Sequence, residues 1–171
     1  RSANDAATAL GEFISGSEKK FADYMTLTAR EMGMKDTIFQ NAHGLTSSKH
    51  LSTPRDMAIL ARRLIYDFPE YYNLFGRISV NAIGRTLYNT NRKFLSLYSG
   101  SDGIKTGFTS SAGFNLAASA KRGNKRIIGV VFGSSSVSLR NKRMTELLNI
   151  GFANSKENVI FTSLKKLSLY P

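Results

Sequence analysis

Asp102-Gly103-Ile104-Lys105-Thr106-Gly107-Phe108-Thr109-Ser110-Ser111-Ala112-Gly113 is the stretch from which the rest of the chain can be read. Its centre, Lys105-Thr106-Gly107, follows a turn over Gly100 to Gly103 and precedes the apolar run Phe114 to Ala120. That order predicts a short strand entering a hairpin. The strand offers one ammonium, one hydroxyl and one residue without a side chain. Glycine in a strand lets another backbone approach closely. The ammonium and hydroxyl can hold a carboxylate by charge-assisted hydrogen bonds.

Downstream, Ile127 to Phe132 pairs back on Phe114 to Ala120 across the turn Arg122-Gly123-Asn124. Ser134-Ser135-Ser136 is a loop, and a helix follows from about Leu139 to Phe152, with Leu139, Leu147, Leu148 and Ile150 as its apolar face. Upstream, Ile78 to Tyr88 reads as a hairpin turning near Asn81 to Gly84, and Asn89 to Lys93 as a loop. Thr53-Pro54-Arg55-Asp56 opens a helix, with a threonine cap, proline at the first helical position and an acid in the first turn. Met57, Leu60, Ala61, Leu64 and Ile65 are its buried stripe, Phe68-Pro69 ends it, and Glu70 to Phe75 is a short helical turn. Thr37-Ile38-Phe39 is extended. Ser17 caps an earlier helix that ends near Gly33, with Phe21, Met25, Thr28 and Met32 on one face and Tyr24 and Leu27 widening it. Asn4 or Asp5 caps the first helix, to about Ile14. The layout is α+β: an antiparallel sheet with a helical layer against it. Residues 154–171 read as a tail with one further strand, Asn158 to Thr162, and room for the start of a second domain.

The chain has no cysteine, which excludes disulfides and zinc-thiolate sites. Its net charge of +12 would suit a nucleic-acid binder. The basic doublets, however, are scattered from Lys19-Lys20 to Lys165-Lys166 and form no run interleaved with aromatics. They are read as solvated surface with a general attraction to anionic envelope polymers, and no nucleic-acid partner is expected. His43 and His50 lack a third strong ligand at metal spacing, so His43 is read as a satisfied loop histidine and no metal is expected.

About a hundred residues before Lys105, Ser2-Ala3-Asn4 leads into the first helix. Alone, a Ser-x-Asn triplet is a helix cap, Lys105 a strand-edge lysine and Arg140 a solvated arginine. Together with Lys-Thr-Gly, the triplet belongs to the motif set of penicillin-recognising serine enzymes. The surrounding sequence agrees: Gly33-Met34-Lys35-Asp36-Thr37 with Phe39, His43-Gly44-Leu45, Ser52 to Ala58, Asp102 to Ala120, and Leu147-Leu148 with Gly151-Phe152. Over residues 1–153 the chain resembles the low-molecular-mass penicillin-binding proteins, the serine D-alanyl-D-alanine carboxypeptidases.

The resemblance implies the penicillin-recognising serine transpeptidase/β-lactamase-like fold without its N-terminal part, residues 1–153 being the C-terminal two-thirds of that catalytic domain. It implies removal of the terminal D-alanine from peptidoglycan stem peptides through an acyl-serine, β-lactams as acylating inhibitors, a periplasmic or cell-envelope location, and no cofactor. It also assigns roles. Ser2 would bridge two lysines and pass a proton to the departing amine. Asn4 would hydrogen-bond the substrate's peptide group. Lys105, as the second lysine, would add positive field and help hold the terminal carboxylate, Thr106 would donate a hydroxyl to it, Arg140 would match a family arginine close to that pocket, and Gly107 would keep the strand open. Phe108 stands where some relatives have histidine.

The family's nucleophile lies in a Ser-x-x-Lys upstream of Ser-x-Asn. The two matches here, Ser17 to Lys20 and Ser163 to Lys166, lie downstream of Ser2. The expectation is therefore a piece of a longer enzyme, inactive alone, whose upstream segment or a partner chain covers the open edge of strand 127–132. A non-catalytic peptidoglycan-binding module and a class A-like β-lactamase are the alternatives.

Overall fold

The computed structural model describes residues 2–155. Helices α1 (Asn4–Ser15) and α2 (Glu18–Glu31) open the chain, and α3 (Pro54–Asp67) follows a long loop. Next come α4 (Pro69–Tyr72), a 3-10 turn (Asn73–Gly76), the hairpin β1 (Ser79–Ala82) and β2 (Arg85–Tyr88), and α5 (Arg92–Leu97). Strands β3 (Ser101–Thr109), β4 (Gly113–Arg122) and β5 (Lys125–Ser134) form an antiparallel sheet in that order, and α6 (Val137–Asn154) closes the described chain. The α+β layout follows the sequence reading. The strand expected over Asn158 to Thr162 lies outside the described residues.

Most helix ends obey their local chemistry. Ser17 Oγ accepts from Lys20 N, Thr53 Oγ1 from Asp56 N and Ser136 Oγ from Leu139 N, each satisfying a donor of a first turn. Gly33, at φ 91°, lets Met34 N reach Ala29 O and Gly33 N reach Arg30 O, which closes α2. The first helix departs from expectation. Neither Asn4 nor Asp5 caps it: Ala3 is the extended N-cap residue, and Asp5 lies inside the first turn with its carboxylate accepting from Ala6 N.

The sheet is packed on both faces. On one, Phe94, Tyr98, Leu116, Ala118, Ala120, Val131, Met144 and Leu148 form a buried cluster beneath α5 and α6. On the other, Ala61, Ile65, Tyr72 and Ile104 join α3 and α4 to the sheet. Met144 and Leu148 are fully buried, and each such side chain contributes about 1.5–3 kcal/mol. Helix α6 sits close because two glycines admit it. A Cβ on Gly129 would lie 2.7 Å from Met144 Sδ, and one on Gly151 2.6 Å from Ile127 Cγ2.

Four local readings need correction. The buried row of α6 is Arg140, Met144 and Leu148, while Leu147 and Ile150 are exposed. On α2 the buried residues are Ala22 and Ala29, and Tyr24 and Leu27 face outward. In α2 the expected face of Phe21, Met25 and Thr28 is part-buried and only its widening fails, whereas in α6 leucine count misplaces the face. Residues 92–97, partly read as loop, form α5 without a side-chain cap, held by burial of Phe94 and Leu95. The turn before Lys105 is shorter than expected, since β3 begins at Ser101 and Gly103 is within it.

Candidate active site

Ser2, Asn4, Lys105, Thr106, Gly107 and Arg140 line one cleft of about 660 Å³. Three separate parts of the chain bring them there. Ser2 and Asn4 arrive at the start of α1, which rests on α2 at Gly11. A Cβ on Gly11 would meet Phe21 Cδ1 at 2.6 Å, so the two helices touch where the side chain is missing. Glu18 fixes the same junction. Its Oε1 accepts from Thr8 Oγ1 at 3.0 Å and from Ala42 N at 3.2 Å, and lies 3.4 Å from His43 Nε2. One carboxylate thus links α1 to the 41–44 loop, which also lines the cleft.

Lys105, Thr106 and Gly107 come from β3, in register with Ala117, Leu116 and Asn115 of β4. The strand is clamped just before Lys105. Asp102 carboxylate oxygens lie 2.7 and 2.9 Å from Arg126 Nη1, Tyr72 OH donates to Asp102 at 3.2 Å, and Arg126 donates to Ser119 Oγ at 2.6 Å. Burial, the largest cause, pushes the Tyr72 phenol up to about 12. Arg140 enters from the first turn of α6. It is 5% exposed, and its Nε and Nη2 donate to Asn141 Oδ1 at 3.1 and 2.8 Å.

The electrostatics favour an anion. Lys105 and Arg140 both face the cleft, and no aspartate or glutamate lines it among the described residues. Lys105 is open to solvent on the cleft side and enclosed by protein elsewhere, so desolvation pushes its pKa down. Burial does the same to Arg140. A ligand carboxylate would relieve both costs. The ammonium of Lys105 at present donates to Thr106 O. A Cβ on Gly107 would meet nothing nearer than Asn115 Cβ at 3.9 Å, so the edge there is open to a ligand backbone.

Two features of the cleft escape sequence reasoning. Thr90, within the tract read as loop, lines the cleft and accepts from Thr106 Oγ1 at 2.8 Å, orienting that hydroxyl. His43 and His50 line the same cleft. His43 is indeed satisfied, its Nδ1 accepting from Leu45 N at 3.1 Å. His50 packs edge-on against Phe39, and burial, then the nearby His43, lowers its pKa. No local signal marks Thr90, because a lone threonine between asparagines has no periodicity. Ser17 is outside the cleft, engaged as the α2 cap, and Ser163 to Lys166 lie outside the described residues.

A family model described as D-alanyl-D-alanine carboxypeptidase, Peptidase_S11, matches residues 1–136. The chain is 42% identical over 165 residues to D-alanyl-D-alanine carboxypeptidase DacF of Bacillus subtilis, covering 94% of this chain and 42% of that protein. It is 39% identical over 153 residues to DacD of Escherichia coli, covering 90% and 39%. The chain thus spans about two fifths of the length of these curated relatives. Among solved structures, penicillin binding protein 5 of Haemophilus influenzae superposes with a TM-score of 0.83 at 38% identity, over 89% of this chain and 44% of that one. The ampicillin-bound form of penicillin-binding protein D2 of Listeria monocytogenes gives 0.82 at 35%, over 88% and 63%.

Proposed function

We propose, from the premise that this chain belongs to the D-alanyl-D-alanine carboxypeptidase family, peptidase S11, and has its penicillin-recognising α+β fold, that it forms the substrate-holding walls of such an enzyme. The observation that carries the reading is the convergence of Ser2, Asn4, Lys105, Thr106, Gly107 and Arg140 on one carboxylate-free cleft. The substrate is a peptidoglycan stem peptide ending in D-alanyl-D-alanine. Its terminal carboxylate lies between Lys105, the Thr106 hydroxyl and Arg140, and Asn4 binds its peptide group. A serine from a Ser-x-x-Lys outside these 171 residues attacks the penultimate carbonyl. The departing amine takes a proton through Ser2, D-alanine leaves, and water hydrolyses the acyl-enzyme. β-Lactams acylate the same serine, and the enzyme acts in the cell envelope. The same upstream segment covers the free edge of β5, which has no strand beyond it among the described residues.

The β-lactamase alternative needs an acidic group to deacylate the enzyme. Among the described residues, those that line the cleft supply none. A binding module without catalysis would share the carboxylate cradle, and one experiment separates it. The full-length protein is incubated with a penicillin and its intact mass recorded, while D-alanine release is followed on a D-alanyl-D-alanine peptide. One long-lived adduct and D-alanine release are expected. Neither adduct nor release would leave the binding module, and rapid turnover of the penicillin would indicate a lactamase.

A further inference from the structure

The cleft does not end at Phe108. A second hollow of about 450 Å³ continues beyond it, sharing Gly44, Leu45, His50, Gly107 and Phe108 as common walls. The two make one trough along the outer edge of β3, which pairs only with β4 among the described residues. Strand geometry sets what reaches the second hollow. A peptide anchored by its carboxylate near Lys105 advances about 3.3 Å per residue along the strand. Thr109 lies about 13 Å further on, by the same rise. The third and fourth residues from the peptide's C-terminus therefore sit beside Gly107 and Phe108, which line the hollow.

The described walls there carry no carboxylate, ammonium or guanidinium and mix apolar side chains, Leu45, Leu51 and Phe108, with a polar set. Thr46 and Ser111 hydroxyls meet at 3.2 Å across the hollow, joining the 44–51 loop to the β3–β4 turn. Thr109 Oγ1 lies 3.3 Å from Ser111 Oγ. Asn115 is fixed, with Nδ2 donating to Gly113 O at 2.9 Å and Oδ1 accepting from Gly133 N at 2.9 Å. Among the described residues no Asp, Glu, Lys or Arg lines the hollow. A ligand ammonium entering would lose hydration without gaining a carboxylate. A ligand carboxylate would find no cation in the walls. An amide or hydroxyl finds several partners.

We propose that this hollow is a side-chain pocket for the acyl part of the substrate, selecting an uncharged, hydrogen-bonding side chain at the third or fourth residue from the C-terminus. The inference rests on the carboxypeptidase reading above. A peptide whose side-chain amine is already acylated is then preferred over the same peptide with a free amine.

The test uses the full-length protein and three peptides ending in D-alanyl-D-alanine with lysine third from the end. The lysine carries a free amine, an acetyl group or a succinyl group. The acetyl peptide should exceed both charged forms at least tenfold in kcat/KM. Ser111→Asp, on an exposed turn, should invert the ratio in favour of the free amine, and Thr46→Lys should favour the succinyl peptide. Penicillin adduct formation reports that each variant is folded. Turnover of all three peptides within twofold of one another, or ratios unmoved by both substitutions, would overturn the pocket and leave the carboxypeptidase reading standing. No turnover of any peptide and no adduct in the wild type would overturn both.

Discussion

Arg140→Gln is the sharpest perturbation of the proposed carboxylate site. The guanidinium is buried to 5% exposure and spends Nε and Nη2 on a neutral amide, Asn141 Oδ1. Nη1 and its positive charge remain available to a ligand. A hydrogen bond to a charged group contributes about 1.5–3 kcal/mol. At about 1.4 kcal/mol per tenfold, its loss lowers kcat/KM roughly 10- to 150-fold. The loss should be specific to the carboxylate. Steady-state kinetics on the full-length protein would compare a peptide ending in free D-alanine with its C-terminal carboxamide. The variant should lose most of the wild type's preference for the free acid. Asn141→Asp should act in the same direction more weakly, because a carboxylate beside Arg140 competes with the substrate. Less than a threefold change, or equal loss on acid and amide, would refute the assignment.

Three further outcomes are expected. Met144→Ala should destabilise the fold by about 2–5 kcal/mol in urea unfolding, whereas Leu147→Ala should stay within about 0.5 kcal/mol, which checks the rotation of α6. The lowered Lys105 pKa means that the folded state releases this proton before the unfolded chain does. Stability from this group therefore rises with pH between its folded value and the ordinary 10.5, while carboxylate affinity falls over the same window. The KM for free-acid peptides should climb as pH increases toward 10.5, and Lys105→Arg should move that limb to higher pH. Tyr72 works in the opposite sense: its contribution is intact below pH 10 and is lost as pH climbs from 10 to about 12. The difference in unfolding free energy between wild type and Tyr72→Phe should narrow across that range.

The parts of the fold visible in the sequence are those with local causes. Thr53 and Pro54 announce α3, Gly33 ends α2, and Gly123 in the turn separates β4 from β5. The candidate site was legible through motif residues far apart in sequence, and the structure brings all six to one cleft. What stayed hidden depends on contact between elements. Met144 faces the sheet because Gly129 leaves it room, and no pattern within α6 states that. Arg140 belongs to the same row, so it is buried where a helical wheel by leucine count leaves it in solvent. Thr90 matters through a single hydroxyl contact, which has no counterpart in spacing.

The order of the sheet also bears on the time course of folding. Strands β3, β4 and β5 each pair with their neighbour in sequence, so their closure involves short loops. Ser2 and Asn4 reach the cleft they share with Lys105 only after about a hundred residues of chain have been drawn together, and such distant arrangements form late. The Lys-Thr-Gly wall should thus be protected from hydrogen exchange early in refolding, with the α1 wall joining last. Penicillin capture by the refolding full-length protein should then lag behind the appearance of sheet structure, with the interval set by the docking of α1 on Phe21 and Glu18.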